Sequence, residues 1–249
     1  MMTSETVIAW FVRLDATVEQ VAAWRNLLSG EERSRAEAFL LDEHRRDYIT
    51  AHAAMRQVLG QRLGIPAAAV MFKGRDGNGL GGSTAKPELD WEQMPGLPKS
   101  ALRFNLSHTD GAALIGVSEG RELGVDIERH RAMDDLKAMA LSVMSVDEQS
   151  LWGNLPENAW LSAFFHVWTR KESYLKAIGR GLYRSLQQVT VHVSAERLDE
   201  GHPVLDEGGI GTWSVQDLPV PPGFSASICC AGDAMPEIVV RGLDLWTIA

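Results

Sequence analysis

The chain has 249 residues, of which 45% are hydrophobic and 23% charged, a composition typical of globular proteins and unlike that of disordered or fibrous chains. Its formal net charge of −9 disfavours binding to nucleic acid or to an anionic membrane surface, so a polyanionic ligand requires a local basic site. We see neither a leader pattern nor an apolar run long enough to span a membrane, and we expect a cytoplasmic protein.

The first half of the chain is predicted to combine strands with a long, arginine-rich helical region. Ser29 and Glu32 have the spacing of a capping box, which predicts a helix start. Apolar residues then recur at helical spacing up to Gly64, with a break near Asp42. Apolar runs predict strands over 7–14, 69–72, 102–106 and 112–117.

A glycine-rich loop over 74–82 contains a formal dinucleotide-binding pattern at Gly77, Gly79 and Gly82. The residues that follow, up to Pro87, do not begin a helix. No helix N-terminus would therefore offer its amides to a pyrophosphate, and we reject a dinucleotide-binding fold.

The second half is predicted to return from strands to helices and back to strands. A second capping box lies at Ser145 and Glu148, and 158–178 has one broad apolar face at helical spacing. Strands are predicted over 123–128, 188–193, 212–216, 224–230 and 238–240. This order favours an α+β fold in two halves, 1–117 and 118–249, each with a long helix and several strands.

Two carboxylates are predicted to lie side by side on one strand. Side chains alternate along a strand, so Asp126 and Glu128 share one face while Val125 and Ile127 share the other, buried one. Adjacent acids repel unless a cation or a donor lies between them, and Mg²⁺ accepts one or two protein carboxylates together with phosphate oxygens. An exposed strand with no ligand is the alternative reading of this pattern.

The helix over 158–178 has a third acid among amines. Glu172 and Lys176 are spaced i,i+4, which is compatible with a surface ion pair of about 0.2 to 0.5 kcal/mol. Alternatively, Glu172 completes a metal site while Lys171 and Lys176 contact phosphate oxygens.

A hydroxyl and an imidazole, those of Ser107 and His108, lie where a predicted strand ends in a polar turn. Adjacent residues point in opposite directions from a strand, which argues against a serine–histidine hydrolase pair.

Taken together, the three segments 104–111, 123–128 and 165–176 resemble the signature motifs of the larger, surfactin-type class of 4′-phosphopantetheinyl transferases. They read Asn-Leu-Ser-His, Gly-Val-Asp-Ile-Glu and Trp-Thr-Arg-Lys-Glu-Ser-Tyr-Leu-Lys, and their spacing also agrees with that family. The resemblance implies a pseudo-dimer of two similar α+β halves, with the active site in the cleft between them. It also implies a monomer.

The resemblance assigns roles to individual residues. It implies that Mg²⁺ is held by Asp126, Glu128 and Glu172, with Glu172 or Glu128 as the base. Coenzyme A would be contacted by Lys176 and Lys171 at the diphosphate and by His108, with Ser107 beside it, at the 3′-phosphate. Further contacts are expected from Lys86 near the nucleotide and from Arg56, Arg46 or Arg45 in the arginine-rich helical region.

The reaction implied is transfer of the 4′-phosphopantetheine arm of coenzyme A to a serine of an apo acyl or peptidyl carrier protein, with release of 3′,5′-ADP. Two other functions are compatible with the same residues. One is Mg²⁺-dependent hydrolysis of pyrophosphate-linked nucleotides, and the other is a non-catalytic module that binds carrier proteins.

Overall fold

A computed structural model describes residues 6–73, 86–179, 185–206 and 208–243. The predicted glycine-rich loop over 74–82 lies outside the described residues. Six α-helices and ten strands occur in these ranges, in runs of helices and runs of strands, which confirms the predicted α+β class. None of the helices in these ranges has both the length and the apolar character needed to cross a membrane.

The elements follow one another in two series. The first contains β1 (Thr6–Arg13), α1 (Val18–Trp24), α2 (Gly30–Glu37), α3 (Asp42–Leu63), β2 (Leu102–Thr109) and β3 (Ala112–Glu119). The second contains β4 (Leu123–Arg129), α4 (Leu136–Val143), α5 (Val146–Gly153), α6 (Trp160–Ile178), β5 (Val189–Thr190), β6 (His202–Pro203), β7 (Leu205–Asp206), β8 (Trp213–Asp217), β9 (Phe224–Ala231) and β10 (Glu237–Gly242).

The first sheet has the strand order β10-β1-β3-β2. β3 pairs antiparallel with both β1 and β2, whereas β10 pairs parallel with β1. α3 covers one face of this sheet, where Met55 and Leu59 pack in one apolar core with Trp10 and Ile115. The last described strand, β10, therefore lies in the same sheet as the first described strand, β1.

The second sheet is antiparallel and has the order β4-β9-β8-β6, and β5 and β7 form a separate two-stranded ribbon. α6 packs on this sheet, with Phe164 and Leu175 in a core that also contains Val215 and Cys229. The next residue, Cys230, belongs instead to the core between the sheets, so the two buried free cysteines lie on opposite faces of β9.

A third core lies between the two sheets. Leu114 and Val7 from the first sheet pack there with Val125 and Ile127 from β4. The predicted alternation along β4 is therefore confirmed on its apolar side, and Asp126 lies on the opposite face. We propose the division between the halves in the turn over 120–122 rather than at 117/118, because β3 continues to Glu119. Similarity of the halves stays a prediction.

α6 lies directly against the backbone of β4 at Gly124. A Cβ atom at this position would lie 2.2 Å from the carbonyl oxygen of Ser173 and 2.3 Å from the backbone nitrogen of Ala177. No other residue type fits this contact without displacing the helix or the strand. Gly124 therefore determines how closely the predicted acids of β4 and of α6 approach each other.

Most predicted elements are confirmed, and two strands are corrected. The strand predicted over 69–72 is wrong, because the chain forms a 3-10 turn at Ala67–Ala69 followed only by an isolated bridge between Phe72 and Leu89. The carbonyl of Val70 accepts a hydrogen bond from Arg56 rather than from a neighbouring strand. The strand predicted over 188–193 is reduced to β5, and α1, which has a capping box of its own, was not predicted.

We expect Gly124→Ala to lower the free energy of unfolding by about 1 to 3 kcal/mol, because the added methyl group overlaps the backbone of α6. Urea denaturation of the purified variant measures this. The control is Gly153→Ala at the end of α5, where an added Cβ meets no atom within 4 Å and where alanine should stabilise by about 0.5 to 1 kcal/mol. Equal stabilities of the two variants would contradict the close contact.

Candidate active site

The site lies where edge strand β2 of the first sheet runs beside edge strand β4 of the second. Three polar side chains of β2 form hydrogen bonds to positions along β4: Asn105, Ser107 and Thr109. The Asn105 Oδ1 accepts a hydrogen bond from the Val125 backbone N–H at 2.9 Å, and the Ser107 hydroxyl donates to Asp126 Oδ1 at 2.8 Å. The Thr109 hydroxyl donates to Glu128 at 3.4 Å. We call this contact the β2–β4 seam.

α6 brings an ammonium group to the same seam. Lys176 Nζ lies 2.6 Å from Asp126 Oδ1 and 2.8 Å from the Ser107 hydroxyl oxygen. Glu172 lies one helical turn before Lys176 and therefore on the same face of α6. The structure thus gathers predicted residues from all three motifs, Ser107, Asp126 and Lys176 among them, in one place.

The acids of the site influence each other's ionisation. Burial, followed by the negative charge of Asp126, raises the pKa of Glu128 to about 7. The same two causes, in the same order, raise the pKa of Glu172. Asp126 itself is 2% exposed. Three carboxyl groups are thus close enough to interact, and Lys176 is the amine that reduces their repulsion.

The donor set has the chemistry of a magnesium site. Asp126 Oδ2 is buried and has no hydrogen-bond partner among the described residues. A buried carboxylate oxygen of this kind, with two neighbouring acids of raised pKa, is compatible with a hard cation. Within the described ranges, however, no three acidic, histidine or cysteine side chains are already arranged to hold a metal. The Lys176 ammonium instead lies against Asp126.

His108 lies at the outer end of β2 among other basic side chains. Partial desolvation, followed by the positive charges of His52, Lys176 and Arg35, lowers its pKa to about 4, although the ring reaches solvent. The Tyr48 ring stacks on His52 with centroids 4.0 Å apart and is nearly perpendicular to the His108 ring, with centroids 6.4 Å apart. This cluster is a local basic site on an acidic protein.

Sequence reasoning missed two members of this cluster, Arg35 and His52. Arg35 belongs to α2 and was noted only as one of several arginines, while His52 lies on α3 and was not considered. A helical-wheel comparison of α3 could have placed His52 on the same face as Tyr48, but only tertiary structure shows that this face meets His108.

Asn105 was likewise missed as a positioning residue, although it lies in the first motif. Its side chain is buried and bonds across the seam rather than to a ligand. A buried asparagine in an otherwise apolar strand is the signal that could have drawn attention to it.

Three residues that were predicted to contact coenzyme A, namely Arg56, Lys86 and Lys171, instead bond to groups of the protein itself. Arg56 is 1% exposed, bonds to Glu32 and to the carbonyls of Ala67 and Val70, and supports the turn after α3. Lys86 pairs with Glu122. Their predicted roles towards coenzyme A stay predictions.

Lys171 is fully buried and pairs with Glu148 on the opposite side of α6 from Lys176. It also donates to two backbone carbonyls, so its ammonium is bound within the fold, and its predicted contact with phosphate oxygens stays a prediction. Arg170 is equally buried and forms a two-point pair with Asp217. Arg46, by contrast, is exposed near the start of α3 and close to Asp47.

Comparison with known proteins places these motifs in one family. A model of the 4′-phosphopantetheinyl transferase superfamily matches residues 122–229. The chain is 33% identical over 190 residues to the 4′-phosphopantetheinyl transferase HetI of Nostoc sp., covering 76% of this chain and 75% of that protein. It is 26% identical to psf-1 of Bacillus pumilus over 222 residues, covering 89% and 86%. It is 24% identical to Sfp of Bacillus subtilis over 225 residues, covering 88% and 89%.

Removing the charge of Glu128 should stabilise the metal-free protein at alkaline pH. Its pKa is raised from 4.5 to about 7 in the fold, so ionisation destabilises the native state above pH 7, and this cost disappears as the pH falls through 4.5. We expect Glu128→Gln to be more stable than wild type by about 1 to 3 kcal/mol at pH 8 and equal to it at pH 4.5.

Urea denaturation in the presence of EDTA at the two pH values measures this difference. Glu157→Gln, an exposed acid before α6, is the control and should show no comparable gain. A Glu128→Gln variant that is less stable than wild type at pH 8 would contradict the carboxylate repulsion.

Proposed function

The chain belongs to the 4′-phosphopantetheinyl transferase superfamily, and on this premise we propose that it transfers the 4′-phosphopantetheine arm of coenzyme A to a serine of an apo acyl or peptidyl carrier protein. The products are the holo carrier protein and 3′,5′-ADP. The observation that carries the proposal is the meeting of Asp126, Glu128, Glu172 and Lys176 at the β2–β4 seam.

Asp126, Glu128 and Glu172 are the residues that would hold Mg²⁺ together with the diphosphate. The unpartnered, buried Asp126 Oδ2 supports this assignment. When bound there, the ion would neutralise negative charge on the diphosphate. Lys176 is partly exposed, with 30% of its side chain accessible, so it can donate to a phosphate oxygen from the same position.

In the reaction, the serine hydroxyl oxygen of the carrier forms a bond to the β-phosphorus of coenzyme A. The bond between that phosphorus and the bridging oxygen breaks, and its electron pair stays on 3′,5′-ADP. The serine proton passes to a carboxylate, directly or through water. Glu172 and Glu128 are the two candidates, because both carboxyl groups lie at the site.

The basic side chains around His108 support an assignment for the nucleotide end of coenzyme A. We place the 3′-phosphate against His108, with Arg35 supplying positive charge beside it, because the two groups already interact electrostatically. A bound phosphate dianion would raise the pKa of His108 again, because the negative charge of the phosphate favours the imidazolium form. Arg46 is exposed on the adjacent helix and is a further candidate.

The decisive experiment combines the purified protein, Mg²⁺ and coenzyme A, with and without an apo carrier protein, and follows both by mass spectrometry. A gain of the phosphopantetheine mass on the carrier serine is the expected result. Cleavage of coenzyme A without any carrier would identify a hydrolase instead. Carrier binding with neither reaction would identify a non-catalytic module.

We expect Asp126→Asn to abolish transfer while the protein stays folded, because the substitution removes a metal ligand but retains the size of the side chain. Carrier modification and circular dichroism measure the two properties. Asp199→Asn, an exposed acid in the second half, is the matched control and should retain wild-type turnover. Normal turnover by Asp126→Asn would remove the metal assignment.

We expect His108→Ala to bind coenzyme A about ten- to a hundredfold more weakly, since it loses a charge-assisted hydrogen bond of about 1.5 to 3 kcal/mol. Its affinity for dephospho-coenzyme A should not change. Calorimetric titration with both ligands gives the ratio of affinities. If the variant and the wild type discriminate equally between the two ligands, His108 does not contact the 3′-phosphate.

A monomeric state, a cytoplasmic location and the absence of nucleic-acid partners remain predictions from the sequence. Size-exclusion chromatography coupled to light scattering tests the first of these directly.

A further inference from the structure

Lys86 precedes β2 in the chain but makes its contacts at the junction of β4 and α6. Its ammonium donates to Glu122 Oε2 at 2.7 Å, to the Leu123 carbonyl at 2.9 Å and to the Ala177 carbonyl at 3.5 Å. Its side chain is 14% exposed. The three acceptors surround a lysine that is mostly withdrawn from solvent.

Glu122 extends this contact to the first sheet. Its other carboxylate oxygen accepts a hydrogen bond from Arg103, which belongs to β2. One carboxylate thus joins a lysine held against β4 and α6 to an arginine of β2. We call Lys86, Glu122 and Arg103 the clasp.

The clasp joins the three elements that carry the site. Arg103 lies four residues before Ser107 on β2, and Leu123 lies three residues before Asp126 on β4. Ala177 directly follows Lys176 on α6. A strand advances about 3.3 Å per residue, so the clasp lies roughly 10 Å along β4 from Asp126.

Lys86 also stabilises the end of α6 itself. α6 ends at Ile178 and is capped by Gly179, whose backbone is left-handed. The last carbonyl groups of a helix lack partners within it. A cation beside these carbonyls is favourable because the C-terminal end of a helix has partial negative charge. Loss of Lys86 would therefore allow the turn that carries Lys176 to move.

We propose that Lys86 and Glu122 are positioning residues, which hold β2, β4 and α6 in the register that brings Lys176 and Glu172 to Asp126. This inference rests on the proposed transfer function. It differs from the expectation that Lys86 contacts the nucleotide, because it assigns the ammonium to protein acceptors and gives Glu122 an equal part.

The two roles predict opposite results for Glu122→Gln. If the clasp positions the site, Glu122→Gln and Lys86→Met should both lower kcat, by about ten- to a hundredfold, because small displacements of reacting groups have effects of this size. The affinity of each variant for 3′,5′-ADP should stay at the wild-type value. If Lys86 instead binds the nucleotide, Lys86→Met should weaken 3′,5′-ADP binding, and Glu122→Gln should leave kcat unchanged.

The experiment measures kcat and KM for coenzyme A with a carrier protein, and Kd for 3′,5′-ADP by calorimetry, on each variant. The matched control is Lys73→Met, which removes the lysine of an exposed pair with Glu88 whose side chains are 60% and 63% accessible. The control should behave as wild type in every assay. Lys86→Arg, which retains a cation, should recover part of the kcat that Lys86→Met loses.

Hydrogen exchange separates failure of this inference from failure of the transfer function. Lys86→Met should accelerate amide exchange in peptides that cover 123–129 and 172–178, whether or not the wild type transfers phosphopantetheine. A wild type without transferase activity, but with this pattern of exchange, would overturn the function and retain the clasp. Unchanged exchange, or a nucleotide affinity that falls only in Lys86→Met, would overturn the clasp.

Discussion

Direct contact between the backbones of β4 and α6 at Gly124 is the constraint on which the candidate site depends. With no side chain between them, the strand and the helix approach closely enough for Lys176 to reach Asp126. The apolar residues of β4 face the core between the sheets, which leaves Asp126 on the face that meets α6. The same alternation that buries one side of the strand therefore directs the acids towards the helix.

The side of α6 that faces away from the acids also carries buried charge. Arg170 pairs with Asp217 and Lys171 pairs with Glu148, and all four side chains are fully buried. Buried pairs of this kind contribute little net stability, but loss of either partner leaves a buried charge at a cost of about 3 to 5 kcal/mol. They therefore restrict α6 to one orientation, so that these motif residues also serve the site through the fold.

Several features of the site were predictable from the sequence because they follow from local periodicity. The shared face of Asp126 and Glu128 follows from alternation along a strand, and the shared face of Glu172 and Lys176 follows from helical spacing. Most of the longer strands and the long helices were found by the same reasoning, as was the break near Asp42. The family resemblance then brought the three segments together, which no local pattern could do.

The remainder required tertiary structure. Lys171 and Glu172 are neighbours in the motif but differ by about 100° around the helix, and only packing shows which of them is buried. Arg56 lies in an arginine-rich helical region, which made it a candidate for phosphate binding. Its partners in the structure are Glu32 and two backbone carbonyls. Arg35 and His52 reach His108 from two different helices, at long sequence separation.

The parallel pairing of β10 with β1 has a consequence for how the chain folds. One edge of β1 pairs with β3, but its other edge pairs with residues 237–242, which lie more than 220 positions later in the chain. Until residues 237–242 pair with β1, that edge of the strand is open, and an open strand edge can pair with other chains. Because bringing together segments so distant in sequence costs more chain entropy than pairing neighbouring strands, we expect β10 to join the first sheet late in folding.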